Sequence, residues 1–194
     1  MSGLDKFVDW IKIYDDEEIG NFCDRCIEFF NSFPNLGVHD ADYRVCKEAR
    51  IPDSPLREEL KEILRRVFEK YKVETKGPNH GFIRKLESPA IFRYEVNPDK
   101  PNHFHAHADS WSFESATRQI SIIIYLNDVT EGGATTFTDF KYSVQPKKGR
   151  VLLFPSSFNY IHKGEAPISG DKYILVSWLH FHGQGHHYTV SDLY

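Results

Sequence analysis

Apolar residues recur along this chain with two different periods, and the change from one to the other divides it. Over Ser54–Tyr71 the apolar positions Leu56, Leu60, Ile63, Leu64, Val67, Phe68 and Tyr71 share one face of an α-helix. Ser54 supplies the N-cap and Pro55 a preset φ at the first helical position. Glu58, Glu62, Arg65, Arg66 and Glu69 fall on the opposite side, a solvated face stitched by weak pairs. A second helix is predicted from a cap at Asp15 or Asp16, with Glu17 and Glu18 in its first turn, to about Phe33, before Pro34 and Gly37. Its inward residues are Ile19, Phe22, Cys26, Ile27 and Phe30. Ahead of it, Phe7–Tyr14 is rich in β-branched and aromatic residues and reads as a strand, while 38–53 reads as loop with a short strand near Tyr43–Cys46.

After Lys76-Gly77-Pro78 the period shortens to two. Strands are expected at Ala90–Val96, Phe104–Asp109, Gln119–Asn127, Thr135–Phe140, Gly149–Phe154 and Lys172–Phe181, with a further pair around Tyr142–Gln145. Gly132-Gly133, Lys148-Gly149 and Ser169-Gly170-Asp171 are the turns. Ile120–Leu126 is apolar on both faces, so it should be a central strand. So many short strands without an intervening helix predict an antiparallel sandwich or jelly roll, with the first-half helices covering the larger sheet, an α+β arrangement. We expect one domain over 1–194, made of a helical support region (1–78), the β core (79–182) and a C-terminal tail (183–194).

Composition narrows the function. With 40% apolar and 27% charged residues the chain is ordinary globular material, and 14% aromatics suit a β core or an aromatic-lined pocket. A net charge of -4 provides no field for a phosphate backbone, so no nucleic-acid partner is expected. No apolar run approaches the ~20 residues of a membrane span, and Met1–Lys12 lacks a signal-peptide core, so the expectation is a soluble cytoplasmic protein with no membrane partner. Three cysteines, Cys23, Cys26 and Cys46, fit a reducing compartment better than a disulfide framework, and Cys23-x-x-Cys26 sits in a helical pattern that buries thiols. Oligomeric state is not legible.

The candidate chemistry lies in the second half. His107 and Asp109 are two apart and share a strand face, so both can grip one metal. His162 supplies a third ligand. Two imidazoles and a carboxylate leave coordination positions open, as expected of non-haem Fe(II) enzymes that bind a co-substrate and O2. His103 and His105 compete with His107, but only His107 is followed two residues later by a carboxylate, which leaves His105 behind the ligands or facing the substrate. Lys172 opens a strand on which Ile174, Val176 and Trp178 share its face, and a lysine turned into an apolar barrel needs an anion, naturally a carboxylate-bearing co-substrate. Trp111 and Arg118, on the loop after the first ligands, are candidates for gripping a peptide. His180, His182, His186 and His187 read as an exposed polar tail.

Together with Tyr94, Tyr125-Leu126-Asn127, Gly132-Gly133-Ala134-Thr135 and Pro146-x-x-Gly149, these residues resemble the Fe(II)- and 2-oxoglutarate-dependent dioxygenases, specifically their prolyl 4-hydroxylase branch. The resemblance covers 90–181 closely and reaches loosely to Trp10–Phe30. It implies a double-stranded β-helix (jelly-roll) core, Fe(II) held by His107, Asp109 and His162, and Lys172 on the distal carboxylate of 2-oxoglutarate. Tyr94, Tyr125 and Trp178 would line the co-substrate pocket, O2 would be the oxidant, and ascorbate is a further cofactor to expect. The substrate implied is a prolyl residue in a peptide or protein, with succinate and CO2 released. Alternatives are a hydroxylase of a free amino acid or small molecule, and a cupin-like metal enzyme or binding module that does not use 2-oxoglutarate. A lysine ten residues after the second histidine is similar to the collagen-type and algal enzymes, whereas the oxygen-sensing ones carry an arginine nine after it. The chain departs from the pattern at Phe104, where the family often has tyrosine, and in a longer segment between Tyr94 and His107. Nucleic-acid demethylases of the superfamily carry a late pair of arginines, and here no arginine follows Arg150. No side-chain general base is implied, because the chemistry is centred on the metal.

Overall fold

The computed structural model describes residues 5–77, 83–181 and 190–192. Its first helix, α1 (Asp5–Val8), is a single turn, with Trp10 and Ile11 N–H groups closing back on Phe7 and Val8 carbonyls. This corrects the strand expected over Phe7–Tyr14, of which only β1 (Lys12–Asp15) forms, paired with the edge of the sheet. Asp16 caps a 3-10 turn (Glu17–Ile19) by accepting from Glu18 N–H, and α2 (Gly20–Asn31) follows. Helix α3 (Pro55–Thr75) begins behind Ser54, whose side chain accepts from Arg57 N–H, and ends on Lys76 in the left-handed conformation.

The stretch read mostly as loop is a hairpin, β2 (Val38–Ala41) and β3 (Arg44–Arg50). A strand that the periodicity did not predict, β4 (Ile83–Glu87), pairs with the end of the last long strand, Lys172–Phe181. Its buried residues Ile83 and Leu86 are three apart because the pairing is bulged between His180 and Phe181, so the period-2 signal is broken. The remaining strands are β5 (Ala90–Tyr94), β6 (Phe104–His107), β7 (Arg118–Tyr125), β8 (Thr135–Phe137), β9 (Tyr142–Val144), β10 (Arg150–Pro155), β11 (His162–Gly164), β12 (Lys172–Phe181) and β13 (Val190–Asp192).

All the pairings are antiparallel, and the order β1-β10-β7-β12-β5-β3-β6-β11-β8-β9 curls into a jelly roll. The only ladder contact between β3 and β6, Arg44 with Phe104, is the seam joining the large sheet to the small one (β6, β11, β8, β9). As its apolar run implied, β7 is central, between β10 and β12. Ile120, Ile122 and Ile124 face outward into a core shared with α2 and α3, where Phe22, Leu60, Leu64 and Phe68 pack. Ile123 and Tyr125 face inward, among Phe92, Phe137, Phe154 and Ile174. The helices thus stiffen one face of the large sheet, and its other face forms a wall of the site. No helix among the described residues is long and apolar enough to cross a membrane. His182, His186 and His187 lie outside the described residues. His180 does not belong to an exposed tail: it sits on β12 with 4% of its surface accessible.

Candidate metal and co-substrate site

His107 ends β6 and His162 begins β11, and the two are direct cross-strand partners. Asp109 follows two residues after His107, so three ligand atoms converge to within 4.8 Å of one another. His107 Nε2 is 3.4 Å from Asp109 Oδ1, and His162 Nε2 is 3.8 Å from Asp109 Oδ2. Each imidazole is oriented by its own strand: Nδ1 of His107 donates to His105 O at 2.8 Å, and Nδ1 of His162 to Tyr160 O at 3.0 Å. That fixes the tautomer and leaves both Nε2 lone pairs facing the carboxylate. Phe104 stacks on His107, with ring centroids 3.7 Å apart, and Phe154 meets His162 edge-on at 4.7 Å, so the rings cannot turn freely.

The carboxylate is held as firmly. Ser121 donates to Asp109 Oδ2 at 2.5 Å, and with its own proton committed it accepts from Ser156 Oγ at 2.8 Å. Burial alone would raise the Asp109 carboxyl, but the His162 and His107 imidazoles and the Ser121 hydroxyl outweigh it and hold it below the usual range. Burial pushes the His162 imidazolium down to about 4, against the pull of Asp109. Near neutral pH this imidazole is therefore neutral beside an ionised carboxylate, the protonation state a metal requires. Ser121→Ala is expected to weaken Fe(II) binding about tenfold to a hundredfold, the usual cost of losing an outer-sphere partner, with little change in thermal midpoint. Anaerobic Fe(II) titration measures it.

In the same cavity, of about 270 Å³, lies Lys172. It begins β12, is 1% exposed, and among the described residues has no hydrogen-bond acceptor or ion-pair partner at Nζ. The nearest groups of note are aromatic: the Tyr94 ring at 5.4 Å and the Tyr125 ring at 5.9 Å. Burial lowers its pKa to about 7, against a weak opposing pull from Glu165. Tyr94 is its cross-strand partner, and Tyr125 donates to Thr135 Oγ1 at 2.7 Å. Burial raises both phenols far above their usual range, so they stay neutral. An uncompensated buried ammonium aimed into a cavity that also holds a His-Asp-His cluster fits a metal bound together with an anionic ligand.

The opposite end of the cavity is built differently. Arg118 makes two bonds to Glu87, Nε to Oε2 at 2.8 Å and Nη2 to Oε1 at 2.6 Å, and donates from Nη1 to Asp109 O at 3.2 Å. Its guanidinium lies 3.6 Å from the centroid of the Trp178 ring. His180 Nε2 is 2.8 Å from Glu87 Oε2, and its Nδ1 is 2.8 Å from Thr117 Oγ1. Burial would raise the Glu87 carboxyl, yet His180 and Arg118 hold it below its usual range. The structure thus brings together His107, Asp109, His162, Lys172, Tyr94 and Arg118, with Tyr125 behind Lys172. Trp178 lines the same cavity but sits against Arg118, six positions along β12 from Lys172. Trp111 lies at the mouth and is 78% exposed, while His105 is exposed outside the cavity and stacks on His103. Glu87, His180, Ser121, Ser156 and Thr135 were not anticipated, although Thr135 stands in the Gly132-Gly133-Ala134-Thr135 run that marks the site.

Residues 90–180 match the family model of the 2OG-Fe(II) oxygenase superfamily. Over that span the chain carries the sequence pattern of this superfamily. The matched span contains the three clustered ligands and Lys172. Among curated proteins the chain is 27% identical over 125 residues to "Probable prolyl 4-hydroxylase 6" of Arabidopsis thaliana, an alignment covering 51% of this chain and 43% of that protein. The chain therefore spans less than half the length of this relative. Among solved structures it superposes on the viral collagen prolyl hydroxylase of Paramecium Bursaria Chlorella virus-1 in complex with 2OG, with a TM-score of 0.65, 20% identity, and coverage of 88% of this chain and 95% of that one. A prolyl hydroxylase from Trichoplax adhaerens, in complex with a hypoxia inducible factor peptide fragment, superposes with a TM-score of 0.67 and 15% identity over 92% of this chain and 87% of that one. At such identities the superpositions establish a shared jelly-roll fold.

Proposed function

We propose that this chain is an Fe(II)- and 2-oxoglutarate-dependent dioxygenase that hydroxylates a prolyl residue in a peptide or protein. The observation that carries this reading is Lys172, a buried cation without a protein anion, in one cavity with His107, Asp109 and His162. A metal enzyme or binding module that did not use a diacid would leave that ammonium buried without compensation, at considerable cost. The names of the relatives and neighbours support proline as the target and a peptide as the partner. The three cysteines, all buried and unpaired, support work in a reducing, cytoplasmic setting.

Iron held by the three ligands, with 2-oxoglutarate and O2, would supply oxidative decarboxylation to succinate and CO2 and hydroxylation of a C–H bond, with ascorbate as accessory reductant. The chain's own residues position and shield. Nε2 of His107, Nε2 of His162 and a carboxylate oxygen of Asp109 are the donors, kept in place by carbonyl and serine bonds. Lys172 takes the far carboxylate of the co-substrate, between the Tyr94 and Tyr125 rings. Phe104, Phe154 and Ile123 keep water from the ligand side. The peptide enters at the end walled by Trp178, Arg118 and Trp111. Offering proline-containing peptides and free amino acids to the Fe(II)-loaded protein, and locating the added oxygen by mass spectrometry, tests the substrate. Oxygen at proline supports the proposal; oxygen only on another residue type, or a response only from free amino acids, removes the prolyl assignment.

The state of Lys172 yields a prediction about pH. Without co-substrate its pKa is about 7, and a carboxylate placed beside it raises that value. Below about pH 7 the lysine is charged before and after binding, so 2-oxoglutarate affinity should be flat. Above it, binding must take up a proton, and affinity should fall by up to about tenfold per pH unit until the bound-state pKa is reached. Calorimetry in buffers of differing ionisation enthalpy should register uptake of up to about one proton at about pH 8.5; no uptake would contradict the assignment of Lys172.

A further inference from the structure

We propose that Asn127 is a positioning residue for Lys172, and through it for the far carboxylate of the co-substrate, an inference that rests on the 2-oxoglutarate reading above. The main-chain ladder between β7 and β12 ends where Leu126 N–H donates to Tyr173 O at 2.9 Å. One residue later the Asn127 side chain takes over. Its Nδ2 donates to Asp171 O at 2.8 Å, and its Oδ1 accepts from Tyr173 N–H at 2.8 Å. A side-chain amide carries the donor and acceptor of a peptide group, so it serves as one more rung at a point where the chain's own backbone turns away. The two bonds hold the backbone immediately before and immediately after Lys172.

The same corner is fixed from the other side. Asp171 Oδ2 accepts from Arg93 Nε and Nη2 at 3.0 and 2.7 Å, and Oδ1 accepts from Val96 N–H at 2.9 Å, tying the start of β12 to the end of β5. The lysine stem runs beside Gly133, whose φ of +69° favours glycine and where a Cβ would lie 3.5 Å from Lys172 Cδ. Nothing comparable holds the ammonium, which has no protein acceptor among the described residues. The aim of a four-carbon stem on the first residue of a strand therefore depends on its backbone, and strand ends open more readily than strand centres. Asn127 is the group that closes this end.

Anaerobic calorimetry of the Fe(II)-loaded protein tests the proposal with two ligands, 2-oxoglutarate and 2-oxovalerate, the latter lacking the far carboxylate. The wild type should prefer 2-oxoglutarate about tenfold to a hundredfold. Asn127→Ala should reduce that preference about threefold to tenfold by weakening 2-oxoglutarate alone, with 2-oxovalerate and Fe(II) affinities unchanged, and should have no effect in a Lys172→Met background. Asn127→Asp, nearly isosteric, keeps the acceptor for Tyr173 N–H but loses the donor to Asp171 O. It should lower the preference in the same direction, and it stands in for Asn127→Ala should that variant fail to fold. Equal losses for both ligands, or an effect that persists beside Lys172→Met, would make Asn127 a support of the fold only and overturn the proposal. If Lys172→Met itself leaves the preference intact, the co-substrate reading falls, and the role of Asn127 with it.

Discussion

Asp109→Ala is expected to abolish Fe(II)-dependent turnover and to weaken Fe(II) binding by more than about a hundredfold, since loss of an outer-sphere partner alone costs a metal site about tenfold to a hundredfold. Asp109 is the one anion of the cluster and the ligand closest to both imidazoles. Without it two neutral rings face each other, their centroids 4.4 Å apart, with no charge to offset that of the metal. His107→Ala should behave in the same way. His105→Ala is the control: that side chain is exposed and stacks on His103, and the bond from His105 to His107 Nδ1 comes from its backbone carbonyl. It should leave Fe(II) binding within about twofold of wild type, well inside the effect of losing an outer-sphere partner. Retained turnover in Asp109→Ala would undo the ligand assignment.

Lys172→Met should raise the apparent Michaelis constant for 2-oxoglutarate about tenfold to a hundredfold while leaving Fe(II) affinity nearly intact. A charge-assisted hydrogen bond in a partly desolvated site is worth about 1.5 to 3 kcal/mol, and methionine keeps much of the stem's bulk, so the charge alone is removed. Lys172→Arg should rescue only in part. A planar guanidinium needs more width than an ammonium, and here it would have to fit between the Tyr94 and Tyr125 rings beside Gly133. Steady-state kinetics with 2-oxoglutarate as the varied component decides the matter, and an unchanged Michaelis constant in Lys172→Met would remove the anchor.

The core of this fold is legible in the sequence wherever one interaction dominates a whole element. Helix α3 follows from its cap, its proline and its apolar face, and β7 from an apolar run that must be covered on both sides. Short edge elements are not legible in this way. Phe7 and Val8 favour strands by residue type, yet they form a single helical turn whose carbonyls accept from Trp10 and Ile11 N–H, and pairing with β10 begins only at Lys12. The bulge in β4 hides its alternation.

The site divides in the same manner. His107 and Asp109 are readable as a pair because they lie two apart on one strand, and Lys172 because a lysine among apolar strand residues demands an anion. Glu87, Arg118 and His180 lie on three separate strands, and nothing in the sequence links Arg118, a candidate for gripping a peptide, to the other two; only the antiparallel pairing of β12 with β4 and β7 brings them into contact. Ser121 and Ser156 look like ordinary strand serines until the register of β10 against β7 places them beside Asp109.

The most direct test of the central claim is O2-dependent succinate release by the Fe(II)-loaded protein with 2-oxoglutarate and a proline-containing peptide, run beside reactions lacking metal, lacking 2-oxoglutarate, or carrying Lys172→Met. The account predicts succinate only when metal, 2-oxoglutarate and O2 are all present, stimulated by the peptide and strongly reduced at low 2-oxoglutarate in the variant. Peptide oxidation without 2-oxoglutarate, or succinate release indifferent to the metal, would contradict it.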